Sequence, residues 1–308
     1  MRTWHVDKGR TGIHVGVAIA GVLGLVLLVV FLVRHEDASW FQGAFARSVQ
    51  KLQLVQAMSR DLLVSAEAEK SAVMAETDEA SEAFAAQSRQ ASHHVEQARR
   101  EIEPLLAGKR QEEQLFQEFS QCWEALQAID HEVLSLAVQN TNLKAFRLSF
   151  GPATAAVRRM EDALTHLIEV GASSPDAAPL TRLAATAVTG ALNICVLHAP
   201  HIVESTVTRM DEMEASMKSH DAQVTTALQS LRALVDASGQ PWLEAAWAAY
   251  KDLQEINADI VELSRQNSNV RSFALSLGQK RKMTVQCQDV LTALQETIRQ
   301  SMAYTATK

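Results

Sequence analysis

Glycine and proline are scarce in this chain of 308 residues: there are 12 and 6, and five of the glycines fall within the first 24 positions. From Arg34 onward only 13 of 275 residues are one or the other. That excludes sheet folds, which need a turn about every ten residues, and leaves an all-α protein. A basic excess is also missing. With a formal charge of −7 there is no electrostatic footprint for nucleic acid. The three cysteines, Cys122, Cys195 and Cys287, stand far apart. No C-x-x-C is present, and the odd count argues against a disulfide framework, so all three read as small buried apolar residues. There is no nucleophile elbow, no phosphate-cradling glycine loop and no H-E-x-x-H, so no catalytic apparatus and no cofactor are expected. No histidine has glutamate three residues before it, so the ligand pair of di-iron bundles is absent as well.

What the chain does have begins with a long apolar run. Residues 11–33 carry no charged side chain and one histidine, His14, enough to cross ~30 Å of hydrocarbon as a helix. Arg2, Lys8 and Arg10 precede it, while Arg34 is offset at once by Glu36 and Asp37. The basic bias predicts a cytoplasmic N-terminus, 1–10, with everything beyond the span outside. The expected location is therefore a bacterial inner membrane with a periplasmic bulk. Gly12, Gly16, Ala20 and Gly24 recur on one face of the span, the spacing that lets a second transmembrane helix, from another copy or another subunit, approach closely.

Beyond the span, Pro104 with Gly108, the stretch Gly171 to Pro179, and Ser238-Gly-Gln-Pro241 are the stop signals. They delimit four segments, about 38–107, 112–170, 179–236 and 241–303. Segments of that length need to pack lengthwise, which predicts an elongated up-down-up-down four-helix bundle. An internal repeat supports it: Asn140-Thr-Asn-Leu-Lys-Ala-Phe-Arg-Leu-Ser-Phe-Gly151 returns as Asn267-Ser-Asn-Val-Arg-Ser-Phe-Ala-Leu-Ser-Leu-Gly278, with six of twelve positions identical. Upstream the match continues through Leu136/Leu263 and Trp123/Tyr250. The chain thus reads as a duplicated helical hairpin, 34–171 and 172–308, with segments two and four running the same way.

Asn140 and Asn267 fall on the apolar seam of their helices. One reading is a buried polar layer that fixes helix register, in which case leucine at both positions should raise stability. The other is the floor of a ligand site formed by Asn140, Asn142, Asn267 and Asn269, with Lys144 and Arg271 as the nearest of several cations available to clamp a small anionic metabolite. Gly151 and Gly278 leave room for a close backbone or a bound group, and Pro152 should kink the second helix. His198-Ala-Pro-His201, flanked by Cys195 and Glu204, offers candidate metal or haem ligands at His198 and His201. The competing reading is a kinked helix whose histidines are hydrogen-bonded.

The anchor, the bundle and the pattern from Trp242, Trp247 and Tyr250 through Asn267-Ser-Asn to Leu275-Ser-Leu-Gly278 resemble the external four-helix-bundle sensor domain of methyl-accepting chemotaxis receptors. The resemblance implies small metabolites bound between helices, and a last helix that continues as a second span toward a cytoplasmic signalling rod. This sequence stops at Lys308 without that span or rod, so the expectation is a sensor module that signals through a partner. The alternatives are a structural or assembly subunit of an inner-membrane complex and, third, a haem or metal carrier.

Overall fold

The structure, a computed structural model, describes residues 43 and 45–306. The cytoplasmic stretch 1–10, the span 11–33 and its packing residues Gly12, Gly16, Ala20 and Gly24 lie outside the described residues. Those described are helical apart from short turns, with no strand among them. The helices are α1 (45–73), α2 (Asp78–Ile102), α3 (Arg110–Ala137), α4 (Thr141–Leu148), α5 (Thr154–Val170), α6 (Ala177–Val203), α7 (Val207–Arg232), α8 (Gln240–Gln266), α9 (Ser268–Leu275) and α10 (Arg281–Ala306). Pro104 lies in a short 3-10 turn and Gly108 has φ +83°, as their stop signals required.

Two of the four expected long helices turn back on themselves. The segment 38–107 turns back at Met74–Thr77, where the Thr77 hydroxyl accepts the Ala80 N–H at 3.1 Å and Asp78 and Glu79 begin the next helix. This is a normal N-terminal signal, but it lacks glycine and proline. The segment 179–236 turns back at Glu204–Thr206, where Glu204 Oε1 accepts the Ser205 and Thr206 N–H groups. Ser65 pairs with Ser88 and Ser92, and Ser81 with the Ala72 carbonyl, so α1 and α2 run antiparallel as a hairpin. The repeated unit is therefore a hairpin followed by a long, interrupted helix. Nor do segments two and four run the same way. Arg159 pairs with Asp252, Thr141 with Ser268 and Asp130 with Lys280; partner numbers rise as the others fall, so these helices are antiparallel.

Contacts divide the chain into two compact units, one of residues to Leu62, His93–Gln121 and from Cys287, the other of Leu63–Ser92 and Cys122–Gln286. They cut across the boundary at 171/172, which marks the repeat. In the first unit Val55, Met58, Ile102, Phe119, Leu291 and Leu294 are buried, and Lys51 reaches Glu112 at 2.7 Å in a buried ion pair. In the second, α5, α6, α7 and α8 share one apolar core that includes Met160, Leu164, Leu180, Val224, Leu228, Tyr250 and Ile260. Gly190 lets α6 and α7 close up: a Cβ there would lie 2.6 Å from Val224 Cγ2.

α6 is long and apolar enough to cross a membrane by length and composition. Its inner face, from Leu180 through Ala184, Ala187, Ala191 and Ile194, is built into that core. Pro200 lies inside α6, which continues to Val203 before reversing. Pro152 sits in a π-turn, Ser149–Ala153, whose counterpart in the second copy is the π-turn Ser276–Lys280. Such turns insert one residue into a helix. Gly151 and Gly278 occupy them without any close approach, since an added Cβ would meet nothing within 4 Å. Among the cysteines only Cys195 is free; Cys122 and Cys287 are disulfide-bonded, contrary to the reading of three free thiols.

Candidate functional site

The asparagines form a two-fold knot. Asn140 and Asn267 interrupt their helices with φ of 51° and 54°. This left-handed conformation costs most residues energy, and asparagine is among the few side chains that adopt it routinely. Their placement on the seam thus reflects the backbone first. Around the break, residues 127 apart bond reciprocally. The Thr141 N–H donates to Ser268 Oγ at 3.1 Å and the Ser268 N–H to Thr141 Oγ1 at 3.0 Å. The Asn142 N–H donates to Asn269 Oδ1 and the Asn269 N–H to Asn142 Oδ1, both at 3.1 Å.

Asn140 and Asn267 do not bond to each other; each is joined to the other copy's second asparagine. Asn269 Nδ2 donates to Asn140 Oδ1 at 3.0 Å, and Asn142 Nδ2 to Asn267 Oδ1 at 2.8 Å. Their remaining amide nitrogens tie down the hairpin ends. Asn140 donates to Asp78 at the start of α2, and Asn267 to the Glu204 carbonyl at the end of α6. Every side-chain amide of the four asparagines is thus engaged within the chain. Lys144 donates to the Gln139 carbonyl and lies 3.7 Å from Asp78; Arg271 lies 3.8 Å from Glu132. Both are on the surface rather than over a polar floor.

His198 and His201 are buried on α6. His198 Nε2 meets Asn257 Oδ1 at 3.0 Å and Nδ1 meets Ser149 Oγ at 3.2 Å. An amide oxygen can only accept, so Nε2 carries the proton and Nδ1 takes the serine hydroxyl. Burial holds the His198 pKa below its usual value, against the Asn257 hydrogen bond, with His201 adding to the depression. His201 Nε2 pairs with Glu214 at 3.0 Å, and Nδ1 with Ser264 Oγ at 2.8 Å. Burial pushes Glu214 upward, but bonds from Arg265 and His201 outweigh it and hold it below the usual carboxylate range. Burial also raises the Cys195 thiol, to about 11. Among the described residues no group of three or more His, Cys, Asp or Glu is placed to hold a metal ion. Because folded His198 resists protonation while the unfolded chain accepts it near pH 6.5, stability should be full above that pH and fall as pH drops below it. Denaturation midpoints between pH 7.5 and 5 check this, and His198→Gln should make the fall shallower.

Beside these histidines a cavity of about 280 Å³ opens between α6, α7 and α8. α7 contributes Glu214, Lys218 and Asp221, and α8 contributes Tyr250, Gln254 and Asn257, over an apolar base that includes Ile194, Met217 and Leu253. The Tyr250 hydroxyl and Gln254 Nε2 both donate to Asp221 Oδ1, at 2.5 and 2.6 Å. Burial, reinforced by Asp221, raises the tyrosine pKa. In the sequence Tyr250 stands out as a repeat position and as part of the chemoreceptor-like pattern, whereas Asp221, Lys218 and Gln254 carry no local motif. The i, i+4, i+7 spacing of Tyr250, Gln254 and Asn257 on one face of α8 was the available signal. No known protein family, curated protein or solved structure matches the chain.

Proposed function

We propose that the chain is a non-enzymatic, membrane-anchored sensory domain, similar to the external bundle of a chemotaxis receptor, that binds a small molecule and acts through a partner protein. On this reading the anchor 11–33 lies in a bacterial inner membrane, with the helical part in the periplasm. The observation that carries it is the cavity between α6, α7 and α8, in which six polar side chains from two helices converge over apolar residues, the usual make-up of a ligand pocket. Its chemistry favours a ligand with a hydrogen-bond donor or ammonium group at Asp221 rather than the anion expected from Lys144 and Arg271. The Tyr250 and Gln254 bonds to Asp221 cross from α8 to α7, so a ligand that replaces them changes how those helices are held together. Asn257 carries the same wall on through His198 to Ser149 in the π-turn.

A thermal-shift screen of amines, amino acids and carboxylates tests the proposal. A ligand at one hundred times its dissociation constant should add about 2.7 kcal/mol of stability, and Asp221→Asn should remove most of that gain. A second reading, a structural subunit of a membrane complex, draws on the outer face of α6 and the start of α7. There Leu192, Val196, Val203 and Val207 are 47%, 70%, 59% and 62% exposed, a feature of surfaces covered by another protein. A flat screen together with a stoichiometric partner co-purified in mild detergent would decide for it.

A further inference from the structure

The two copies place different chemistry at equivalent points on either side of the knot. On one flank buried His198 lies between Asn257 and Ser149; at the positions that match Asn257, Ser149 and Ala153 the other flank has Asp130 on α3, Ser276, and Lys280 at the end of the second π-turn, with Glu69 of α1 against Lys280. Glu69 is 1% exposed and Lys280 is 3% exposed. Lys280 Nζ donates to Asp130 Oδ1 and lies 3.0 Å from Glu69 Oε2, within ion-pair reach but off the hydrogen-bonding direction. Glu69 Oε1 is buried without any hydrogen-bond partner. An orphaned buried carboxylate oxygen is costly, and a native structure that keeps one has a reason for it.

The cluster sums to one negative charge, from two carboxylates and one ammonium. Glu69 and Lys280 line a groove of about 610 Å³ between α1 and the segment from Ser276 to Val285, with Leu63, Met74 and Val285 supplying apolar wall. Lys70 and Arg281 stand at the rim with Glu67, a net positive charge there that disfavours a second cation.

We propose that this groove is a second binding site, distinct from the cavity between α6, α7 and α8, for a small monovalent primary amine whose ammonium donates to Glu69 Oε1. One added positive charge neutralises the cluster and supplies the missing donor, while a short alkyl chain lies against the apolar wall. The rim cations select against diamines and polyamines. The π-turn supports the arrangement by bringing Lys280 inward to Asp130; its counterpart in the other copy is Ala153, which leaves no charge to balance.

The test follows unfolding of the full chain in mild detergent at fixed ionic strength, with propylamine hydrochloride as probe and 1-propanol as its neutral counterpart. Propylamine at a hundredfold excess over its dissociation constant should raise the midpoint by roughly 3–6 °C, and propanol should not. The rise should vanish in Glu69→Gln and persist in Asp221→Asn, which alters only the other cavity. Ala66→Phe, which fills the groove from α1 and leaves the three charges in place, should also abolish it, and decides the matter if Glu69→Gln does not fold. Equal responses to amine and alcohol, no response at all, or a response that survives Glu69→Gln or Ala66→Phe would overturn the site.

Discussion

Leucine at Asn140 or Asn267 should destabilise the protein strongly, by about 2–5 kcal/mol for each single replacement. The left-handed backbone alone costs a residue with a Cβ roughly 1–2 kcal/mol, and each replacement leaves buried partners unpaired at about 1–3 kcal/mol more. Asn140→Leu leaves Asn269 Nδ2 without its acceptor, and Asn267→Leu removes one of the two acceptors of Asn142 Nδ2, which keeps the Ile202 carbonyl, together with the donor to the Glu204 carbonyl. The sign is opposite to that expected of a simple polar layer on a helix seam, where leucine would stabilise. Glycine separates the two contributions: it accepts the positive φ, so Asn140→Gly should recover the backbone part and leave only the hydrogen-bond loss. Denaturant midpoints of the leucine and glycine variants at both sites provide the measurement. Leucine variants as stable as the parent would show that the chain does not hold the left-handed break.

The second large effect is expected at Lys280. Lys280→Ala removes the cation that pairs with Glu69 and Asp130, leaving buried carboxylates uncompensated, and should cost about 3–5 kcal/mol. The loss should be only partly additive with changes at its partners, because the three groups act together. Asp130→Asn added to Lys280→Ala reproduces the residues at the matching positions of the other copy, Asn257 and Ala153. This double variant should be more stable than Lys280→Ala alone, by chemical denaturation at neutral pH. If the double variant were the less stable, the charge pairing would not be what holds Lys280 inside.

The helical class and the repeat were legible in the sequence. The Asn140 and Asn267 motifs align at an offset of 127, and residues separated by that number bond across the knot. The direction of the helices was not legible, because it follows from two turns with little punctuation. Met74–Thr77 contains neither glycine nor proline, so a segment of about seventy residues read as one helix. Its cue was Thr77 followed by Asp78 and Glu79, an N-cap with acidic first-turn residues. The seam spacing of Asn140 explained its burial but not its backbone, since a left-handed residue inside a helical pattern keeps the apolar periodicity on both sides. Nothing local sets Lys280 apart from the other cations that follow the second asparagine motif. Its burial could be read only by aligning it with Ala153 and asking why an apolar position had become charged.

The reciprocal bonds of the knot have the form of an isologous contact, in which one patch meets another copy of itself. Between two identical chains such a contact forces every substitution to appear twice, on both sides of the axis. Here both halves belong to one polypeptide, so each side can change alone. That freedom is what allows Lys280 to face Glu69 and Asp130 on one flank while its counterpart on the other, where His198 meets Asn257, is the uncharged Ala153. A symmetric assembly of two such halves would have to present the same chemistry at both flanks; covalent linkage lets one molecule carry two unlike sites on a common frame.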